Sequence, residues 1–293
     1  MTASVAVPAV NPRALRRRRL RRRFTRRPPA VVGLLGVVVV VLVALLAPLI
    51  APFDPAKGDY GNIFLAPLSP DHLFGTDDLG RDLFSRIVVG ARASLLAGVV
   101  ATLLAAVVGV PIGLVAGYYR GWLDTVIMRA TDVALAFPFL VLAVGLAVIL
   151  GPSLSNAVLA LAISAVPGFV RITRAEVLSL REQDYVQAAI VNGAPDRVIL
   201  FRHILQNSLS PLVVQASMTI PASIIGEAAL SYLGIGVQPP TASWGTMLSS
   251  AQNYISQAPW YALFPGVAIA VTALSFNLLG DGLRDVMDPR TGK

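Results

Sequence analysis

Long apolar runs alternate with short polar intervals along the chain. Residues 30–50, 94–117, 125–150, 153–170, 208–235 and 260–279 form six such runs. Each approaches the roughly 20 residues that a helix needs to cross a bilayer. The pattern predicts an all-α integral membrane protein with six transmembrane helices. The first run carries no charge. The third carries Arg129 and Asp132 in its first turns, and the i, i+3 spacing predicts that these two pair near the interface. Proline recurs within runs, at Pro111, Pro138, Pro167, Pro211, Pro221 and Pro265. Neighbouring helices and side chains in a bundle can satisfy the carbonyls that these prolines release. Gly109, Gly113 and Gly117 share one helix face. That face predicts a close helix–helix seam, within the chain in preference to between copies.

Two polar intervals carry most of the information. Residues 51–93 are rich in proline and include the run Gly75-Thr76-Asp77-Asp78-Leu79-Gly80-Arg81-Asp82. Asp and Gly at this density predict turns. The acidic residues lack the EF-hand spacing, so a structured turn is expected in preference to a metal site. Residues 171–207 begin as a charged extension of the fourth run, with Arg171, Arg174, Glu176, Arg181, Glu182 and Asp184. Gly193 then suits a left-handed helix stop, and Pro195 suits the first turn of a new helix. Val198, Ile199, Phe201, Ile204 and Leu205 make an apolar stripe at helical spacing, with Arg197 and Arg202 off it. Two short helices are therefore expected to meet at a Gly-Ala-Pro corner. An amphipathic helix lying on lipid is one reading of this segment. A docking knob for a soluble partner is the other, and the small residues Ala188, Ala189, Gly193 and Ala194 favour it.

Composition agrees with a lipid setting. The chain of 293 residues is 55% apolar and 14% charged, against about 25% charged residues in ordinary soluble domains. Its mean hydropathy is +0.70. The formal charge of +8 is concentrated: ten arginines lie between residues 13 and 27. This basic tail reads as a topology signal in preference to a nucleic-acid site. With the tail inside the cell, 20 of the 24 Lys and Arg fall on cytoplasmic segments, and both termini are expected there. The first run is longer than the core of a secretory leader and ends without a small-x-small site, so it reads as a span.

Several chemistries lack their residues. There is no cysteine, hence no disulfide, thiolate metal site or Cys nucleophile. His72 and His203 are too distant in sequence to form a helical pair. The only lysines, Lys57 and Lys293, sit in no phosphate-binding loop. The runs hold no chain of carboxylates and histidines for a proton relay, and no nucleophile–base set. Glu227 is the conspicuous ionisable residue within a run. It is a candidate for the translocation path, with a hydrogen-bonded packing role as the alternative. An ion-coupled transporter or channel remains the competing class, and no convincing internal repeat supports it.

Three segments carry a family resemblance. Ala188-Ala189-x-x-x-Gly193, with Leu205 twelve residues beyond the glycine, resembles the ATPase-coupling loop of permease subunits in binding-protein-dependent ABC importers. His72 to Asp82, continuing to Gly90-Ala91-Arg92-Ala93-Ser94-Leu95, is similar to the C-type permeases of dipeptide and oligopeptide systems. So is Gly226 to Gly234, followed by Gln238-Pro239-Pro240 and Ser243-Trp244-Gly245. The chain departs from the common pattern at Gln187, where Glu is frequent, at Gln206, where Pro is frequent, and at Ala194-Pro195, which replaces the usual Ser cap.

The resemblance implies a type I ABC importer permease fold. It implies a cytoplasmic tail over 1–29, an additional first helix over 30–50 and an extracytoplasmic loop over 51–93. A five-helix core would follow over 94–280, containing the coupling loop 171–207, with a cytoplasmic tail over 281–293. Ala188, Ala189, Gly193, Ala194, Pro195, Arg197 and Leu205 would form the coupling loop. Asp77, Arg81, Asp82 and Trp244 would offer an outer face to a substrate-binding protein. The implied partners are a second homologous permease, two ATPase domains, an extracytoplasmic binding protein and the lipid bilayer. ATP and magnesium would be bound by the ATPases, and this chain would hold no cofactor and catalyse no reaction. Di- and oligopeptides are the implied substrates, with nickel or glutathione as alternatives.

Overall fold

A computed structural model of the protein describes residues 24–25 and 27–287. Most of the arginine-rich stretch, and residues 288–293 of the expected C-terminal tail, lie outside these. Among the described residues the long elements are all helices, and β pairing is limited to isolated bridges at Ser69–His72 and Thr76–Asp82. Helix α1 spans Pro28–Leu45 and is followed by a short α2, Ala47–Ile50. Helix α3 spans Leu83–Tyr119, α4 Gly121–Ala136, α5 Phe139–Leu150 and α6 Leu154–Arg181. Helix α7, Asp184–Val191, is separated by a tight corner from α8, Asp196–Tyr232. Helices α9, Trp244–Ala251, and α10, Pro259–Met287, complete the chain.

Among the described residues α1, α3, α6, α8 and α10 are long and apolar enough to cross a membrane, and α4 with α5 would make a sixth crossing if counted together. The expected third span is thus a broken one, bent by 85° between Ala136 and Phe139. The break follows from Pro138. It has no N–H to donate, and it holds the preceding Phe137 in extended backbone (φ −80°, ψ 122°). Helix α3 starts well before residue 94, because Asp82 caps it by accepting from the Ser85 N–H at 2.7 Å. The polar interval therefore ends at 82, not at 93.

The glycine face of α3 forms a seam within the chain, as expected. A Cβ at Gly109, Gly113 or Gly117 would lie 2.6–2.7 Å from the Cβ of Phe169, Thr173 or Val177 on α6. Only hydrogen fits between these backbones. Two cross-helix ion pairs add to this bundle. Arg174 of α6 makes two bonds to Asp124 of α4, at 2.5 and 2.7 Å, and Arg171 bonds Asp132 at 2.7 Å. The expected Arg129–Asp132 pair is replaced by this contact to α6. Helix α1 packs on α10, where a Cβ at Gly33 would lie 2.5 Å from the Leu279 nitrogen, and Arg27 pairs with Asp285. The outward face of α1, including Val32, Leu35, Val39 and Leu45, is exposed, as lipid contact requires.

Candidate functional site

The corner between α7 and α8 stands at one end of the bundle. Gly193 has φ +74°, the left-handed stop expected of it, and a Cβ there would meet nothing within 4 Å. Pro195 precedes the first turn of α8 in extended conformation. The second element of the corner is not a separate short helix. It continues into the span through a π-helical turn over Ile199–Ile204. That wider turn shifts the phase of the apolar stripe. Ile199, Leu200 and Ile204 are buried against Leu114, Tyr118, Val177 and Val186. Val198 and Phe201, assigned to the stripe by a regular helical period, are exposed.

On α7 the adjacent Ala188 and Ala189 point to different sides of the helix. Ala189 and Ala194 pack against the inner cluster, with Leu205 beside them. Ala188 and Arg197 are exposed, and Val191 is 85% exposed. The exposed surface of the corner is therefore made by Ala188, Ile190, Val191 and the outward rim of α8. The corner is held by contacts that no local sequence signal marks. Tyr118 and Tyr119, at the end of α3, both donate to the Asp196 carboxylate, at 2.8 and 3.1 Å. Arg181 donates to the Tyr118 carbonyl, and its guanidinium lies 5.2 Å from the centroid of the Tyr118 ring. Gln187, which departs from the family pattern, donates to the Arg181 carbonyl at 2.8 Å. These contacts tie the corner to the ends of α3 and α6.

The opposite end of the bundle is built on buried charge. Asp77 is 0% exposed. Its Oδ1 accepts from the Leu79 and Arg81 N–H groups, each at 2.9 Å, and its Oδ2 accepts from Arg81 Nε at 2.6 Å. Asp82 caps α3 and contacts His72 Nδ1 at 3.0 Å. Trp244 donates from Nε1 to the Ile87 carbonyl at 3.0 Å, inside a cluster with Ala91, Leu95, Ile224 and Phe276. Asp77, Arg81, Asp82 and Trp244 are all buried. The expectation that they offer a contact face is corrected: their polar atoms are spent on fastening residues 51–82 and α9 to the helices.

Glu227 lies near the same end of α8 and is 0% exposed. Ser94 donates to its Oε2 at 2.8 Å and Ser231 to its Oε1 at 2.6 Å. Ser231 in turn accepts from the Val237 N–H at 2.9 Å. The carboxyl thus joins α3, α8 and the segment after α8, and it presents no surface to a path in this conformation. Of its two candidate roles, packing fits. Glu227→Leu strands two buried hydroxyls, each at a cost of about 1–3 kcal/mol. It is expected to lower the melting temperature of the solubilised chain by several degrees. Glu227→Gln keeps an acceptor and is expected to transport at close to the parental rate. Normal melting of the leucine variant would count against the packing role.

A cleft of about 440 Å³ opens midway along α8, walled by the α4–α5 bend, α6 and α8. Gln215, Thr219 and Ser223 of α8 and Ser164 of α6 line it. Sequence reasoning passed over these residues, although Gln215, Thr219 and Ser223 repeat at four-residue spacing within an apolar run.

Residues 109–293 match the profile of the binding-protein-dependent transport system inner membrane component, and residues 16–67 match the N-terminal transmembrane domain of oligopeptide transport permease C. The chain is 46% identical over 261 residues to the dipeptide transport system permease protein DppC of Alkalihalophilus pseudofirmus, covering 89% of this chain and 86% of that one. It is also 46% identical over 288 residues to the glutathione transport system permease protein GsiD of Escherichia coli, covering 97% and 95%. Among solved structures, an inward-facing conformation of the MetNI methionine ABC transporter shares the fold. It aligns with a TM-score of 0.60 at 20% identity over 70% of this chain and 98% of that one. The all-helical bundle with its broken third span is thus a type I ABC importer permease fold, and the chain belongs to the family of binding-protein-dependent transport system inner membrane components.

Proposed function

We propose that this chain forms half of the pore of an ATP-driven importer for di- or oligopeptides and couples that pore to ATPase subunits. The observation that carries the reading is 46% identity to a dipeptide permease along nearly the whole chain. A second homologous permease completes the pore, two ATPase domains dock, one at the corner of each half, and a binding protein delivers peptide from outside the cell. The corner is cytoplasmic, as are both termini. The domain limits follow the helices: an added α1, a polar interval over 51–82 and a permease core from Leu83 onward. ATP and magnesium belong to the ATPases, and this chain contributes no catalytic group. ATP binding draws the two ATPase domains together, the corners move with them, and the path opens outward.

Glutathione is the second reading, favoured by the equal identity to GsiD. Both readings are tested by reconstituting the chain with its partner permease, ATPases and binding protein in proteoliposomes. The expected result is dipeptide accumulation that requires both ATP and binding protein. Accumulation of glutathione alone would reassign the substrate, and accumulation of neither would overturn the peptide-importer reading. In cells, Ser256→Cys in the segment before α10 is expected to react with an impermeant thiol reagent from outside. Ser179→Cys, close to the corner, is expected not to. Both residues are exposed, and the parent chain has no cysteine.

A further inference from the structure

The uncharged polar stripe of α8 stands in a place where lipid would penalise it. Gln215 lies near the middle of the 37-residue α8. Its carboxamide reaches the cleft but is barely bonded: Nε2 lies 3.4 Å from Thr219 Oγ1, and Oε1 accepts no hydrogen bond among the described residues. Ser223 is 4% exposed and lines the cleft, yet its hydroxyl has no partner among the described residues. A serine in a helix ordinarily bonds back to the carbonyl four residues earlier, as Thr219 does to Gln215 at 2.8 Å. Polar groups left open at mid-membrane depth face water or a polar partner, not acyl chains. On the facing wall α6 comes close at Gly168, where a Cβ would crowd Gln215 Nε2 at 3.1 Å, so the glycine leaves that side of the carboxamide uncovered by a side chain.

We infer that Gln215, Thr219 and Ser223, with Ser164 opposite, line the translocation path and hydrogen-bond the backbone amides of a peptide in transit. The inference rests on the importer reading and names the residues and chemistry that serve it. A carboxamide and hydroxyls donate and accept at once, which matches the N–H and C=O of a peptide group of any side chain. The lining holds no His, Cys, Asp or Glu. A bare divalent cation such as nickel needs imidazole, thiolate or carboxylate ligands, so the stripe does not suit it. Weak, spaced, neutral contacts also suit passage, since a tightly held substrate would not leave.

Thr219→Cys in the reconstituted importer tests this directly, because the parent chain has no cysteine and labelling can be followed on this chain after separation. A charged methanethiosulfonate reagent is expected to modify Cys at 219. ATP turnover with binding protein and a mixture of dipeptides is expected to slow that modification, whereas nickel ions are not. Gln215→Leu is expected to lower dipeptide uptake about tenfold, the loss of one to two hydrogen bonds, with the ATPase subunits still copurifying. Gln215→Asn should recover part of the loss. A Cys at 219 that stays unmodified both at rest and during turnover, or a leucine variant with parental uptake, overturns the inference. If the parental importer transports dipeptide while position 219 stays unmodified, the stripe fails alone. If the parental importer moves no dipeptide, the importer reading fails, and labelling still decides whether the stripe meets water.

Discussion

Val191→Glu is expected to abolish copurification of the ATPase subunits and to bring uptake to background, while the chain still inserts and folds. Val191 is 85% exposed at the end of α7, so within its own chain the substitution costs little. Against an apolar cleft on a partner, an unpaired carboxylate loses about 2–4 kcal/mol, or roughly 30- to 1,000-fold in affinity. Ala188→Trp, also at an exposed position, is expected to act in the same direction by bulk. Gly193→Val has a different route. No atom stands within 4 Å of its Cβ, but φ is +74°, so the loss is of backbone geometry, on the order of 1–2 kcal/mol for a left-handed residue. Its effect on docking should be smaller than that of Val191→Glu. Ala189→Trp is a poor test, since Ala189 packs on the inner cluster and overfilling that cluster disturbs the fold itself. The measurement is pull-down of the ATPase subunits with each variant, beside peptide uptake. A corner lying on lipid would leave the pull-down of Val191→Glu at the parental level, and that result would remove this face as the docking site.

The corner also shows where sequence reading succeeds and stops. The left-handed glycine was legible because glycine takes that backbone conformation without a Cβ penalty. The long spans were legible because lipid imposes a length and an apolar composition. The phase of α8 was not, since a π turn over Ile199–Ile204 leaves no compositional mark and moves Phe201 from the buried stripe to the surface. The partners of Asp196 were not legible either. Tyr118 and Tyr119 reach it across more than 70 residues of chain, and periodicity reports only neighbours on one element. Charge misled most. A run of Asp and Arg in a polar interval reads as solvated surface, yet Asp77, Arg81, Asp82 and Arg86 are all buried. Hydropathy records how a side chain behaves alone, whereas these side chains are compensated by one another and by backbone groups. Glu227 teaches the same lesson inside a span, where Ser94 and Ser231 supply the donors.

Asp77→Ala is expected to unfold the loop-bearing end of the chain and not merely to weaken a contact with a binding protein. The carboxylate stands between Arg81, bonded at 2.6 Å, and Arg86, whose Nε lies 3.4 Å away. That second contact is close enough for attraction, although its geometry makes no hydrogen bond. Arg86 reaches on to the Pro55 carbonyl at 2.7 Å, and Arg81 and Tyr261 both approach Asp78. One carboxylate thereby fastens the polar interval to α3, and its neighbours extend the lock to α10. Removing it leaves two buried guanidinium groups facing each other without their shared counter-charge, a loss of about 3–5 kcal/mol. It also strands the Leu79 and Arg81 N–H groups. Asp77→Asn keeps an oxygen for those two N–H groups but loses the charge and the Oδ2 acceptor of Arg81 Nε, so its melting temperature should fall between those of the parent and the alanine variant. The accompanying test is limited proteolysis of residues 51–82, which should become rapid in Asp77→Ala. A binding-protein contact at Asp77 predicts the opposite pattern: parental melting and proteolysis, with weakened capture of the binding protein. Because Asp77 is wholly buried, the two patterns cannot be confused, and parental stability of Asp77→Ala would refute the lock.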